Sequence, residues 1–588
     1  MGGPGRGGAA AEEVTIESGY DVLVVGGGGA GNRAAIAAAE VDPTLRIGMI
    51  SKVYPMRSHT VSAEGGAAGV LRTDLGDSLD GHGFDTVKGS DYLADQDAVE
   101  YFVREAPKEI IQMEHWGCPW NREPDGRISV RPFGGMTTWR TCFAADKTGF
   151  HMLHTLFQRS LKYAQIQRFD EQLVTSLLVV DGHCQGVIAF DLHSGRFHAI
   201  TAKSVILATG GNGRIFAFTT NAAICTGDGM ALAYRAGVPL KDMEFVQFHP
   251  TGLPVNGILI TEAVRGEGGY LCNNQGERFL KAYVPAKMEL GPRDIISRAM
   301  VTEFEGGRGF KGPYGDYMQL DVRHLGEAKI DQKLPFMREL CREYVGIDIV
   351  KEPIPVRPVE HYMMGGIATD INTATVLPGL YAAGECACVS INGANRLGSN
   401  SLSEILVFGA AAGRSAATYA REAKTTRELD VVALVRDEKR RIEQRFLSAR
   451  PGPPGDRLVT IRKAMQGLMD ANVGVFRHKE GLRNAVTQLT SLRKRFQNVR
   501  LDDHSRVFNT EFVAGIELDF MLELAEVITH CALNRRESRG AHARRDYPER
   551  IDAEYLTHSL AYRTSAGPPR LEQLPVTVTK WQPAARKY

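Results

Sequence analysis

The chain of 588 residues has no run of the roughly 18 apolar residues that a membrane helix needs, so any membrane attachment has to come through partners. It has no excess of one charge. Lys and Arg number 70 against 69 Asp and Glu, a net +1, which removes the electrostatic basis for nucleic-acid binding. Its nine cysteines show none of the paired CxxC spacing of zinc or iron–sulfur sites, so no metal site is expected in this chain. Cys386 and Cys388, the one close pair, sit beside an apolar pattern and read as buried thiols. The opening MGGPGRGGAAAEEVTIESG lacks the apolar core of a signal peptide, and its three Glu and one Arg are unlike a mitochondrial presequence. The expectation is a disordered tail over 1–19 on a cytoplasmic chain. Internal repeats are absent.

What is present points to nucleotide binding. The composition, 43% hydrophobic and 24% charged, is that of a soluble globular protein, with length for several domains of about 150 residues each. Asp21-Val-Leu-Val-Val25 reads as a buried parallel strand. It runs into Gly26, Gly27, Gly28, Gly29, Ala30 and Gly31, and then into a helix-forming stretch over 33–40. In that order Gly26 permits the tight turn, Gly28 lets backbone approach a pyrophosphate, and Gly31 lets helix pack on strand. The helix N-terminus then offers free N–H groups to the phosphates. A second strand, Arg46-Ile-Gly-Met-Ile50, ends in Ser51-Lys52 rather than in the acid that would hold an NAD ribose, which favours FAD.

Val205-Ile-Leu-Ala-Thr-Gly-Gly211 and Gly379-Leu-Tyr-Ala-Ala-Gly-Glu385 read as later strands of the same domain, the second ending on an acid suited to a ribityl hydroxyl. Their separation implies an insert. The expected fold class is α/β: a Rossmann-like FAD-binding domain over 20–244 and 357–420, an inserted α+β capping domain over 245–356, a helical domain over 421–546, and a small C-terminal domain over 547–588. Pro451-Gly-Pro-Pro-Gly455 interrupts the helical part, and the irregular end is expected to lie over a neighbouring subunit. The basic stretches Asn534-Arg-Arg-Glu-Ser-Arg539 and Ala543-Arg-Arg545 are expected to face a partner.

Arg57-Ser-His-Thr-Val-Ser-Ala-Glu-Gly-Gly66 resembles the segment that binds FAD covalently in the succinate dehydrogenase and fumarate reductase flavoproteins. The similarity runs from about residue 20 to the C-terminus. It includes Asp85-Thr-Val-Lys-Gly-Ser-Asp91, Phe248-His-Pro-Thr-Gly252, His361-Tyr-Met-Met-Gly-Gly366, Asn395-Arg-Leu-Gly-Ser-Asn-Ser-Leu402 and Glu537-Ser-Arg-Gly-Ala-His542. Glu64, where many succinate dehydrogenases have Gln, leans toward the fumarate reductase branch, although the stretch between Arg278 and Met288 is short like that of the dehydrogenases.

The resemblance implies fumarate–succinate interconversion with FAD attached through His59, a bond that raises the flavin potential. It implies flavin contacts at Ile50, Ser51, Lys52, Ser58, Thr60, Glu64, Gly65, Gly66, Asp228, Glu385, Arg396, Ser401 and Leu402, besides the glycine loop. Dicarboxylate ligands correspond to His249, Thr261, Glu262, His361 and Arg396, the last able to grip a carboxylate with two prongs. Glu262, Arg265 and Arg293 correspond to a proton path with Arg293 as acid/base. The implied partners are an iron–sulfur subunit and a membrane anchor that binds quinone, on the cytoplasmic face of a bacterial membrane. The rival is an L-aspartate oxidase-like enzyme, which shares the fold but holds FAD without a covalent bond.

Overall fold

Val22, Leu23, Val24 and Val25 are almost wholly buried and form the centre of a seven-stranded sheet, as a strand apolar on both faces must. The computed structural model describes residues 14–423, 431–447 and 455–587. Strand Thr15–Val25 runs parallel to Ile47–Ser51 on one side and Arg196–Leu207 on the other, with Val22 opposite Ile47 and Leu23 opposite Val205. Ile166–Asp170 and Leu380–Ala382 extend the parallel part, while His183–Asp191 and Gln172–Val180 continue it antiparallel. The fold is mixed α/β. The strand begins earlier than expected: Thr15, Ile16 and Glu17 pair with His198, Ala199 and Ile200, so 15–19 belong to the sheet and not to a disordered tail. Residues 1–13 lie outside the described residues.

Two glycines make the strand–helix junction possible. Gly26 has φ +120°, and a Cβ there would lie 2.1 Å from the Ala208 carbonyl oxygen. A Cβ on Gly31 would lie 1.8 Å from the Gly26 oxygen, so helix Gly29–Val41 packs on its own turn only without a side chain there.

The stretch 245–356 builds a separate apolar core around Leu253, Val264, Leu271, Met300, Leu320 and Val356. Its sheet is antiparallel, in the order Val246–Gly252, Ile354–Met363, Gly315–Asp321, Tyr270–Cys272. The first two are the strands by which the chain enters and leaves this stretch. Their pairing brings His249 opposite Val359, two positions from His361.

Further on, helices Val431–Phe446, Leu458–Asn472, Lys479–Phe496 and Thr510–Asn534 follow. Ile461, Met465 and Met469, then Leu482, Ala485, Leu489, Leu492 and Phe496, recur at helical spacing and join the core of the large sheet. Residues 451–454 of the expected Pro-Gly break lie outside the described residues. Among the described residues, no helix is long and apolar enough to cross a membrane.

The chain end departs from expectation in part. Thr557–Tyr562 and Arg570–Pro575 form a hairpin, and Leu240 pairs with Ala561 to join it to a five-stranded sheet, while 576–587 are irregular as expected. The basic stretches also differ. Of their five arginines only Arg536 and Arg545 are exposed, while Arg535, Arg539 and Arg544 are buried. Arg544 Nη1 donates to the Ala532 carbonyl at 2.9 Å, satisfying an orphan acceptor at the end of helix Thr510–Asn534. Arg535 donates to Glu244 Oε1 at 2.6 Å and Glu537 Oε1 at 3.0 Å. Removing one member of a buried ion pair costs about 3–5 kcal/mol. Arg535→Ala is therefore expected to lower stability by about that amount in denaturant titration, while Arg536→Ala stays within about 0.5 kcal/mol of the parent.

Candidate active site

One cavity of about 670 Å³ opens where the glycine turn, the 58–66 segment and the inserted stretch meet. Gly26, Gly27, Gly28, Gly29, Ala30, Ile50, Ser51, Lys52, Ser58, His59, Thr60, Glu64, Gly65, Gly66, Asp228, Glu385, Arg396, Ser401 and Leu402 all line it, as do His249, Thr261, Glu262, Arg293 and His361. Gly31 lies beneath the turn and Arg265 lies behind Glu262, so neither reaches the cavity wall.

At one end the wall is a nucleotide cradle. Helix Gly29–Val41 has no acid in its first turn; its Gly29 N–H donates to Thr60 Oγ1 at 3.1 Å, and the positive end of the helix faces the cavity, where it favours an anion. Asn32 Nδ2 donates to the Gly27 carbonyl at 2.8 Å and holds the turn in shape. Lys52, at the end of the second strand, lies 2.7 Å from both Asp228 Oδ2 and Glu517 Oε1. Burial works against its charge, but the two carboxylates outweigh that and raise its pKa. An acid does stand at this sheet edge, then, supplied by Asp228 from a distant turn.

His59 begins a short 3-10 turn, and its Nδ1 accepts from the Ala222 N–H at 3.3 Å. Burial, and then the charge of Arg214, lowers its pKa to about 4, so the ring is neutral and keeps a nucleophilic nitrogen. Nearby, Arg131 Nη2 donates to the Glu64 carbonyl at 3.0 Å and Arg131 Nε to the Gly65 carbonyl at 3.1 Å. Burial, followed by the charge of Asp146, pushes the Glu64 carboxyl well above its usual range.

The other end is cationic. Arg293 opens helix Arg293–Glu305 and donates from Nε to Glu262 Oε2 at 2.8 Å and from Nη1 to Gln247 Oε1 at 3.0 Å. Arg396 Nη2 donates to the same Gln247 oxygen at 3.2 Å, with its guanidinium 4.2 Å from the Tyr362 ring. Arg265 Nη2 lies 3.5 Å from Glu262 Oε2. Glu262 is held ionised: burial opposes its charge, but Arg293 and Arg265 outweigh burial and lower its pKa. Burial, then Arg293, drives His249 and His361 well below the usual imidazole range. His249 Nδ1 accepts the Thr251 N–H at 3.2 Å, which leaves the proton on Nε2, a buried donor without a partner among the described residues. His361 Nδ1 shares a 2.8 Å hydrogen bond with Thr220 Oγ1. Three guanidiniums thus face one ionised carboxylate, an imbalance that a dianion corrects.

The FAD binding domain family matches residues 21–402, and the fumarate reductase flavoprotein C-term family matches 462–588. A Mycobacterium tuberculosis fumarate reductase flavoprotein subunit is 58% identical over 581 residues, covering 97% of this chain and 99% of its own. The chain belongs to the fumarate reductase/succinate dehydrogenase flavoprotein family. A Rickettsia bellii succinate dehydrogenase flavoprotein subunit is 44% identical, covering 95% of this chain and 96% of its own. A structure of Escherichia coli quinol fumarate reductase superposes with a TM-score of 0.94 at 49% identity, covering 97% of this chain and 98% of that one.

Family membership makes the chain a flavoprotein oxidoreductase and the cradle an FAD site. The residues present fit that group: Ser58 Oγ, Glu64 Oε2 and Ser399 Oγ are buried, belong to residues that line the cavity, and have no hydrogen-bond partner among the described residues. Sequence reasoning missed Gln247, which holds both substrate-end arginines. A signal was there, since Gln247 precedes His249 by two residues on one strand and so shares its face. Arg396 is pushed down to about 10 by burial and by Arg293, and its charge is lost above that pH. Malonate, a small dicarboxylate, is expected to raise the melting temperature, with an affinity that is steady below pH 9 and falls as pH rises through about 10. Gln247→Ala is expected to weaken malonate binding about tenfold, the scale of one lost hydrogen bond to a charged group. Thermal shift with propionate as the monocarboxylate control checks both.

Proposed function

We propose that this chain is the flavoprotein subunit of a membrane-associated complex that interconverts fumarate and succinate, with FAD bound covalently through His59. The observation that carries the reading is the pairing of Arg293 and Arg265 with the ionised Glu262, with Arg396 joined to Arg293 through Gln247, beside the nucleotide cradle. Arg396, with His249 Nε2, His361 and Thr261, binds the two carboxylates and orients the central carbon–carbon bond. Bound FAD supplies or accepts the hydride equivalent. Arg293 moves the proton: a guanidinium N–H is transferred to the alkene carbon in fumarate reduction and taken back in succinate oxidation. Glu262 Oε2, 2.8 Å from Arg293 Nε and 3.5 Å from Arg265 Nη2, stands between them to return that proton.

The neutral His59 ring supports covalent attachment, because only an unprotonated nitrogen forms the bond. Identity favours the fumarate reductase branch, at 58% and 50% to two such subunits against 44% to a succinate dehydrogenase. A two-electron flavin must release electrons singly, and cluster-type cysteine spacing is missing here. An iron–sulfur subunit therefore carries electrons onward to a membrane anchor and its quinone, on the cytoplasmic face of the bacterial membrane. This agrees with two relatives, a quinol-fumarate reductase whose structure is described with menaquinol and Mycobacterium smegmatis Sdh1, described with UQ1.

The test is denaturing electrophoresis of the acid-precipitated protein, purified with its partners and viewed under ultraviolet light. Flavin fluorescence is expected to stay with the wild-type band and to vanish in His59→Ser. A dark wild-type band would sink the covalent assignment and favour an aspartate oxidase-like enzyme. Arg293→Gln is expected to lower kcat for fumarate reduction by about 10²–10⁴-fold, the range for a lost general acid. An unchanged kcat would remove Arg293 from the proton path.

A further inference from the structure

The C-terminal strap, 576–587, lies along its own chain, and one of its side chains turns inward. Gln96, fully buried, accepts from the N–H groups of Lys580 at 2.8 Å and Trp581 at 2.9 Å and donates to the Trp581 carbonyl at 2.7 Å, fixing the strap along helix Gln96–His115. Five residues farther on, the Arg586 side chain is only 8% exposed. Its Nη2 donates to Asp294 Oδ2 at 2.6 Å, and its Nε lies 3.3 Å from Asp91 Oδ1. Asp91 Oδ2 accepts the Gly540 N–H at 2.8 Å, the Gly540 carbonyl accepts from Arg298 at 2.6 Å, and Arg298 returns to Asp294 Oδ2 at 3.1 Å. The contacts close a ring through four parts of the chain.

Two reacting-site residues hang on that ring. Asp294 follows Arg293 in the first turn of helix Arg293–Glu305. Next to Gly540, the Ala541 N–H donates to the Ala394 carbonyl at 2.8 Å, two residues before Arg396. Gly540, at φ +52°, approaches so closely that a Cβ would sit 2.4 Å from the Ala394 oxygen. A surface ion pair would matter little, but this one is buried, with Asp294 wholly enclosed. Without Arg586, Asp294 keeps only Arg298 of these two cations, and its helix stays joined to Asp91 only by the longer route through Arg298 and Gly540.

We infer that Arg586 is a positioning residue for proton transfer: it locks the helix start that carries Arg293 to the loop that carries Arg396. The inference rests on the fumarate–succinate reading above. Displacing a reacting group by about 1 Å costs about 10²-fold in rate.

The experiment compares wild type, R586Q and R586K, each purified as the full complex with bound flavin. Expected for R586Q is a kcat for fumarate reduction lower by about 10–100-fold, with KM changed less than about twofold. The solvent deuterium isotope effect on kcat is expected to rise, because proton delivery becomes the slow step. R586K should recover part of kcat, and R586Q with Asp294→Asn should lose no more than R586Q alone. A wild-type kcat in R586Q overturns the inference, as does a loss of kcat with an unchanged isotope effect. Should R586Q fail to assemble, R586K carries the test, with the inference standing if its isotope effect rises and falling if it does not. A wild-type complex without fumarate or succinate turnover would instead bring down the function reading.

Discussion

A single amide oxygen, Gln247 Oε1, takes hydrogen bonds from both Arg293 and Arg396. Unit charges 4 Å apart repel by about 4 kcal/mol at a typical effective dielectric, and both arginines are buried. The arrangement persists only if a rigid frame holds each guanidinium in place. Gln247 is on strand Val246–Gly252 and is itself pinned by Asn395 at 3.0 Å and the Arg396 carbonyl at 2.8 Å. Arg293 is at a helix start in the inserted stretch, and Arg396 is on a loop next to the nucleotide sheet. The paired entry and exit strands, the closed ring at Asp294 and the Glu262 carboxylate all serve to keep like charges close. The stored repulsion makes the site receptive to a ligand with two negative charges.

Much of this was legible in the chain. A glycine turn between an apolar strand and a helix has few structural meanings, and the steric contacts at Gly26 and Gly31 show why glycine is needed there. The convergence of His249, Glu262, Arg293, His361 and Arg396 on one cavity followed from a family resemblance rather than from spacing, because strand pairing and helix packing bring distant positions together. Arg265 lies 3.5 Å from Glu262, but its side chain stands behind the cavity wall. Gln247 escaped attention because an amide carries no charge to mark it.

The misread segments share a cause. Charge density along a sequence does not say which way a guanidinium points. Arg535, Arg539 and Arg544 look like a basic surface, yet they turn inward to carboxylates and to the orphan carbonyls of a long helix. The chain end, which contains prolines, gives no sign in sequence of the hairpin that extends a sheet of its own chain, nor of Arg586 reaching the helix that carries Arg293. At the other end, Thr15, Ile16 and Glu17 continue the central strand because Arg196–Leu207 is long enough to pair with them.

Burial explains why the cations of the site are arginines. The same desolvation acts on every ionisable group around the cavity. It lowers His249 and His361 until they are neutral, and it raises Glu64, Glu385 and Glu404, with Glu385 reaching about 7. A histidine in place of Arg396 would be discharged, and a lysine would have less margin to lose. Arg396 falls only to about 10 and keeps its charge at neutral pH. Among the acids, Glu262 escapes because two guanidiniums outweigh its burial. A dry site therefore discharges weak groups of both signs and leaves the guanidiniums and Glu262 charged.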